Sequence, residues 1–160
     1  MTALTYIQIS VNIGSPKRTK KLSFVSSGVT LFFNTQHLFI QLNPKERALF
    51  DYLCERMNKV DNSLRIDTKL KEDFIRHISK ITGKQISPSI KRVTSYLKNL
   101  VTPGLLILNG DKLSESYFVN PKYVFKGTAK QRIATIKLLI ESRDKLGYDN
   151  TMLVNTHELK

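Results

Sequence analysis

Residues 86–119 read ISPSIKRVTSYLKNLVTPGLLILNGDKLSESYFV, and few folds accommodate that order of signals. Ser87-Pro88 reads as a cap followed by a first-turn proline, where the missing N–H costs nothing. On a helical wheel Ile90, Val93, Leu97, Leu100 and Val101 fall on one side, with Pro88, Lys91, Arg92, Ser95 and Asn99 on the other. Pro103-Gly104 stops the helix. Residues 105–108 and 117–119 are strand-like, and Asn109-Gly110 is either a tight turn or part of a longer tip running to Ser116. Immediately upstream, residues 69–82 place Leu70, Phe74, Ile78 and Ile81 on one helical face, with Gly83 as the stop. Helix, turn, basic helix and hairpin, in that order, are the parts of a winged helix-turn-helix. The expected class is therefore α+β: a winged helix-turn-helix DNA-binding domain with an N-terminal β extension and a C-terminal helix.

Charge points the same way. No acidic residue lies between Asp73 and Asp111, whereas Arg76, Lys80, Lys84, Lys91, Arg92 and Lys98 do. Over the whole chain 26 Lys and Arg oppose 13 Asp and Glu, a net +13, which favours a polyanionic partner through Coulomb attraction and counterion release. At 160 residues the chain suits one domain with a real core. A single cysteine, Cys54, excludes an internal disulfide and fits a reducing compartment. No apolar run approaches the ~20 residues a membrane span needs, and the amino terminus lacks signal-peptide character, so a cytoplasmic location is expected.

The order of elements divides the chain into a β-rich extension packing on the core (1–42), a winged helix-turn-helix unit (43–127), a terminal helix (128–147) and a flexible tail (148–160). Thr5, Ile7, Ile9, Val11 and Ile13 alternate with polar residues as a half-buried strand would. The run Lys17, Arg18, Lys20 and Lys21 follows in a segment, 1–42, that contains no acid. It reads either as a basic turn touching a phosphate backbone or as a solvated loop whose lysines blunt strand edges. Residues 29–33 and 37–42 suggest strands or a short helix. Asn43-Pro44 opens a clear helix, with Glu46 in its first turn and Leu49, Tyr52, Leu53 and Met57 as its stripe. Residues 60–66 read as a turn and short strand. In the terminal helix, Ile133, Ile136, Ile140 and Leu146 form the expected stripe, and Lys130, Arg132, Lys137, Arg143 and Lys145 lie outside it. Leu138 and Leu139 beside that stripe leave two uses open: packing on its own domain, or the seam of a homodimer.

The DNA-contact candidates follow from the geometry of a helix in the major groove, whose first two turns reach base edges. Lys91 and Arg92 can donate to guanine or grip phosphates, Ser87, Ser89 and Ser95 can bond phosphate or base, and Asn99 can reach adenine or backbone. Lys84 and Lys98 add charge beside them. Lys112 at the hairpin tip would lie over the minor groove or flanking backbone, and Lys17, Arg18, Lys20 and Lys21 form a possible arm. A basic outer face that is merely solvated is the competing reading. Enzymatic patterns are weak: His37, His77 and His157 are scattered, one cysteine cannot make a zinc finger, and no GxxxxGK[ST] loop is present. Asp67, Glu72 and Asp73 read as helix-start carboxylates rather than a metal cluster. No catalysis, cofactor or metal is expected.

Residues 43–127 resemble the RepL-type plasmid replication proteins and their phage relatives. The landmarks are LNPKERALFDYLCERM, SLRI, ISPSIKRVTSYLKNLV, GLLIL and, most specific, SYFVNPKYVFKG, where Tyr117, Asn120, Pro121, Phe125, Lys126 and Gly127 match the family's wing-exit pattern. On the residues alone, Tyr117 and Phe118 should alternate faces, Asn120-Pro121 should end the strand, and Lys122 and Lys126 should flank two aromatics that seat the next helix. The resemblance implies a winged-helix initiator that binds double-stranded DNA at an origin and recruits host replication proteins. Two departures bear on the wing: its tip, KLSESY, is less basic and less glycine-rich than the family pattern, with Glu115 in it, and Thr102-Pro103-Gly104 replaces the usual lysine-glycine approach. A transcriptional regulator on the same scaffold, or a virion or interaction protein using it for docking, are the alternatives.

Overall fold

A computed structural model describes residues 7–8, 21–24, 29–32, 35–83, 88–110, 115–147 and 153. The chain is α+β. In order, its described elements are β1 (Ile7–Gln8), β2 (Lys21–Phe24), β3 (Val29–Phe32), α1 (Gln36–Ile40), α2 (Pro44–Arg56), β4 (Ser63–Arg65), α3 (Thr68–Thr82), α4 (Ile90–Val101), β5 (Leu106–Leu108), β6 (Ser116–Val119), β7 (Val124–Lys126) and α5 (Ala129–Lys145).

The helices start and stop where local chemistry dictates. Asn43 caps α2 in a capping box: its side chain accepts from the Lys45 and Glu46 amides, and Glu46 Oε2 accepts from Asn43 N at 2.9 Å. Asp67 caps α3, and Gly83, at φ 61°, ends it with its amide bonded to the Ser79 carbonyl. Glu72 and Asp73 lie further along α3, where Asp73 pairs with Arg76. Thr128 and Gln131 form a second capping box at α5. At α4 the expectation needs correcting. The cap is Ser89, not Ser87, since the Ser89 hydroxyl accepts from Arg92 N and the helix begins at Ile90. Pro88 then precedes the cap and is buried, as is Val93 on the first turn. These are the two positions that a hydrophobic staple uses, so Pro88 belongs to the core side and not the outer face.

Two sheets organise the strands. One has the order β4-β6-β5 and is antiparallel, with Leu106 opposite Val119, Ile107 opposite Phe118 and Leu108 opposite Tyr117. Because Asn109 N also bonds to Ser116 O, the connection is the longer tip and not a tight turn at 109–110. Alternation along these strands separates two hydrophobic clusters. Leu106, Tyr117 and Val119 face the main core of α2, α3 and α4, built around Leu49, Leu53, Phe74, Val93 and Leu100. Ile107 and Phe118 face the opposite way and meet Leu139, Ile140 and Leu153. Helix α5 therefore packs on the back of this sheet.

The second sheet, β1-β2-β3-β7, is antiparallel and pairs β3 with β7, so the start of the chain joins the segment after the hairpin. Strand β7 was not foreseen. Residues 37–42 turn out to be mostly helix, with Leu38 buried and the Phe39 ring tilted against Phe50, centroids 5.4 Å apart. Lys21, expected in a basic turn, opens β2 opposite Phe32.

Other expectations shift at the edges of the core. Ile81 is 68% exposed because the main cluster takes nothing from α3 beyond Ile78, and Ile75 packs in its place. On α5 the buried residues are Thr135, Ile136 and Leu139, while Ile133 and Leu146 are exposed on the flanks of that face. Arg132 is not a solvated charge. Its guanidinium donates to the Pro121 and Lys122 carbonyls and ties α5 to the turn between β6 and β7.

The β6 exit is held by buried polar groups. Asn62 (φ 60°) donates from Nδ2 to the Val119 and Val124 carbonyls at 3.1 and 2.7 Å and accepts from Lys126 N through Oδ1. Asn120 Nδ2 donates to the Gly104 carbonyl at 2.7 Å, and β6 ends just before Asn120-Pro121 as expected. Lys126, expected to flank the aromatics, is buried, and its ammonium donates to the Glu55 carbonyl at 2.6 Å. That carbonyl lies in the last turn of α2, the negative end of the helix dipole.

Candidate nucleic-acid interface

Helix α4 leans on the core through Val93, Tyr96, Leu97 and Leu100, all buried. A helix with one face so fixed must present the opposite face outward. That outer face carries Lys91, Ser95 and Lys98, which share a line at i, i+4 and i+7, and all three are exposed. Arg92 is also exposed, one step round the helix. Among the described residues no carboxylate lies within ion-pairing distance of Lys91, Arg92 or Lys98, and α4 itself contains no acid. The Ser95 hydroxyl makes no hydrogen bond among the described residues. Such a surface offers three cations and a free hydroxyl to an anionic ligand without competition from neighbouring carboxylates.

Two of the candidates have structural duties. Ser89 uses its hydroxyl to cap α4 at Arg92 N, 3.3 Å away. Asn99 donates from Nδ2 to Glu46 Oε1 at 2.6 Å, linking the last turns of α4 to the start of α2. Glu46 is only 5% exposed, and this contact spans 53 positions with no local signal at either end. Lys84, Ser87, Lys112, Lys17, Arg18 and Lys20 lie outside the described residues, and of Lys21 only the backbone is described.

The base of the hairpin is accounted for. Glu115, at φ 51°, accepts the Ile66 amide through its carbonyl, and its carboxylate pairs with Arg65 at 3.6 Å. The acid that made the tip look unsuited to DNA is thus partly offset by a cation on β4.

Sequence reasoning missed a strip beside the cationic line. Ile90 is 39% exposed on the first turn of α4, and Thr94, one turn later, is half-buried with its hydroxyl donating to the Ile90 carbonyl at 3.0 Å. The i, i+4 spacing is the available signal, although the helical wheel groups Ile90 with the core face.

Among the described residues no group of three or more His, Cys, Asp or Glu side chains is placed to hold a metal ion. Cys54 is buried on α2, and burial pushes its thiol pKa up. His77 lies against Tyr52, ring centroids 5.1 Å apart, in a packing role. No helix among the described residues is long and apolar enough to cross a membrane. The chain matches no protein-family model, no curated protein and no solved structure.

Proposed function

We propose that this chain is a sequence-specific double-stranded DNA-binding protein in which α4 is the recognition helix of a winged helix. The observation that carries the proposal is the outer face of α4, where Lys91, Arg92, Ser95 and Lys98 stand exposed with no acidic partner among the described residues. The order α2–β4–α3–α4–β5–β6 and the sheet order β4-β6-β5 support it, since they place a hairpin directly after the basic helix. Diameter and charge both suit the major groove.

The proposed biological role is replication initiation on a plasmid or phage, with host replication proteins as further partners. This rests on the resemblance of residues 43–127 to RepL-type proteins. A transcriptional regulator would use the same groove chemistry. The two separate in a maintenance assay: a replicon deprived of its own origin protein persists in cells supplying this chain only if it initiates replication.

DNA reading is tested by Arg92→Ala. If Arg92 meets a base, affinity for a selected duplex falls by about 1–3 kcal/mol while affinity for random duplex changes little. Equal losses on both would make Arg92 a phosphate contact.

A further inference from the structure

The strip formed by Ile90 and Thr94 on α4 has no counterpart in a surface meant only for phosphates. We infer that it reads the 5-methyl group of thymine, so that the chain's preferred sites carry a thymine opposite the first turn of α4. The inference rests on the proposed placement of α4 in a major groove and adds to it the class of base that is read.

Three observations converge. Ile90 begins the helix directly after its cap, on the turn that a groove-bound helix inserts first, and it remains 39% exposed although it is a large branched hydrocarbon. Thr94 commits its hydroxyl proton to the Ile90 carbonyl at 3.0 Å, so it offers a methyl group and a lone pair, but no donor, to a ligand. Lys91 lies next to Ile90, and Lys98 continues the Ile90–Thr94 line by another turn. The apolar strip is therefore bordered by cations that would hold it against a phosphate-lined groove.

Among the four bases only thymine displays a methyl group in the major groove, and apolar side chains recognise it by contact. The minor groove shows no methyl, and RNA carries uracil in its place. The same strip would thus favour DNA over RNA of equal sequence, beyond the preference set by groove shape.

The test uses the full chain and duplexes selected from a random pool, each prepared with thymine or with deoxyuridine at every T position in turn. The expected result is at least one position where loss of the methyl weakens binding by about fourfold, the effect of burying one methyl-sized group. In Ile90→Ala that discrimination should vanish, and in Ile90→Val it should persist. If Ile90→Ala binds both duplex types more weakly by the same factor, Ile90 is structural and the inference is overturned. Salt-sensitive duplex binding that ignores every methyl group overturns the inference and leaves the DNA-binding reading standing. Absence of binding to any duplex removes both.

Discussion

The amide of Asn99 on α4 donates to the carboxylate of Glu46 on α2 at 2.6 Å, and the other Glu46 oxygen accepts from the backbone of Asn43 at 2.9 Å. One nearly buried carboxylate therefore both starts α2 and fixes α4 against it. The outer face of α4 inherits its orientation from this contact.

Replacing Glu46 should cost more than a cap alone. Glu46→Ala removes half of the capping box and a charge-assisted bond between helices, so a loss of about 2–3 kcal/mol is expected in urea unfolding. Asn99→Ala should cost less, about 1 kcal/mol, because Asn99 itself is exposed. If Asn99 serves α4 placement and not base reading, its alanine variant weakens binding to all duplexes alike. A change of preferred sequence would show that Asn99 also meets a base.

Asn62 should be among the most sensitive buried positions. Its side chain satisfies two carbonyls and one amide of the β6 exit while its backbone occupies a left-handed conformation. Asn62→Gly keeps the backbone at ease and deletes only the bonds, leaving buried groups unpaired at about 1–3 kcal/mol each. Equilibrium unfolding of that variant should show a loss of at least about 2 kcal/mol. A loss below about 0.5 kcal/mol would mean that water replaces the amide.

Gly127 marks a place where no side chain fits. A Cβ there would approach the Lys59 carbonyl, the Phe125 ring and Gln131 Oε1 at 2.9 Å each, at a backbone φ of 156°. Gly127→Ala should destabilise by about 1–3 kcal/mol through overpacking, read as a lowered melting temperature with duplex affinity unchanged below the transition.

Cys54 should be inert while the protein is folded. Burial raises its thiol pKa, so the native state holds the proton to higher pH than the unfolded chain does. The stability this contributes is complete below the ordinary thiol pKa, about 8.5, and is lost as pH climbs beyond it. Burial pushes the Tyr117 and Tyr123 phenols up as well, so they add a loss of the same sign at still higher pH. Alkylation at pH 8 should be blocked until denaturant unfolds the chain, and Cys54→Ala should shrink the fall in urea midpoint between pH 8 and pH 10.

Local chemistry was the legible part of this fold. Asn43-Pro44, Gly83 and Thr128 marked helix boundaries because capping depends on a few adjacent residues, and the hairpin strands declared themselves as short apolar runs after Pro103-Gly104. Ser87-Pro88 reads as the start of α4, but the bond from Arg92 N to the Ser89 hydroxyl makes Ser89 the cap, with Pro88 buried just before it. Contacts between distant positions left no local trace. Neither the β3–β7 pairing nor the Asn99–Glu46 bond could be read from patterning, and a lysine such as Lys126 looks solvated until the carbonyl it serves is known. The residues that follow β6 work mainly inside the fold. Asn120 holds the Gly104 carbonyl, Lys126 caps α2, and Gly127 allows a close approach.

The central claim concerns the outer face of α4, and the salt dependence of duplex binding tests it most directly. Affinity of the full chain for double-stranded DNA should fall steeply as salt rises. In the Lys91→Ala, Lys98→Ala double variant the slope of log K against log [salt] should become shallower by about 2, the effect of two lost phosphate contacts. Duplex binding that is absent, insensitive to salt, or unchanged in slope when both lysines are removed from a folded protein would contradict the account.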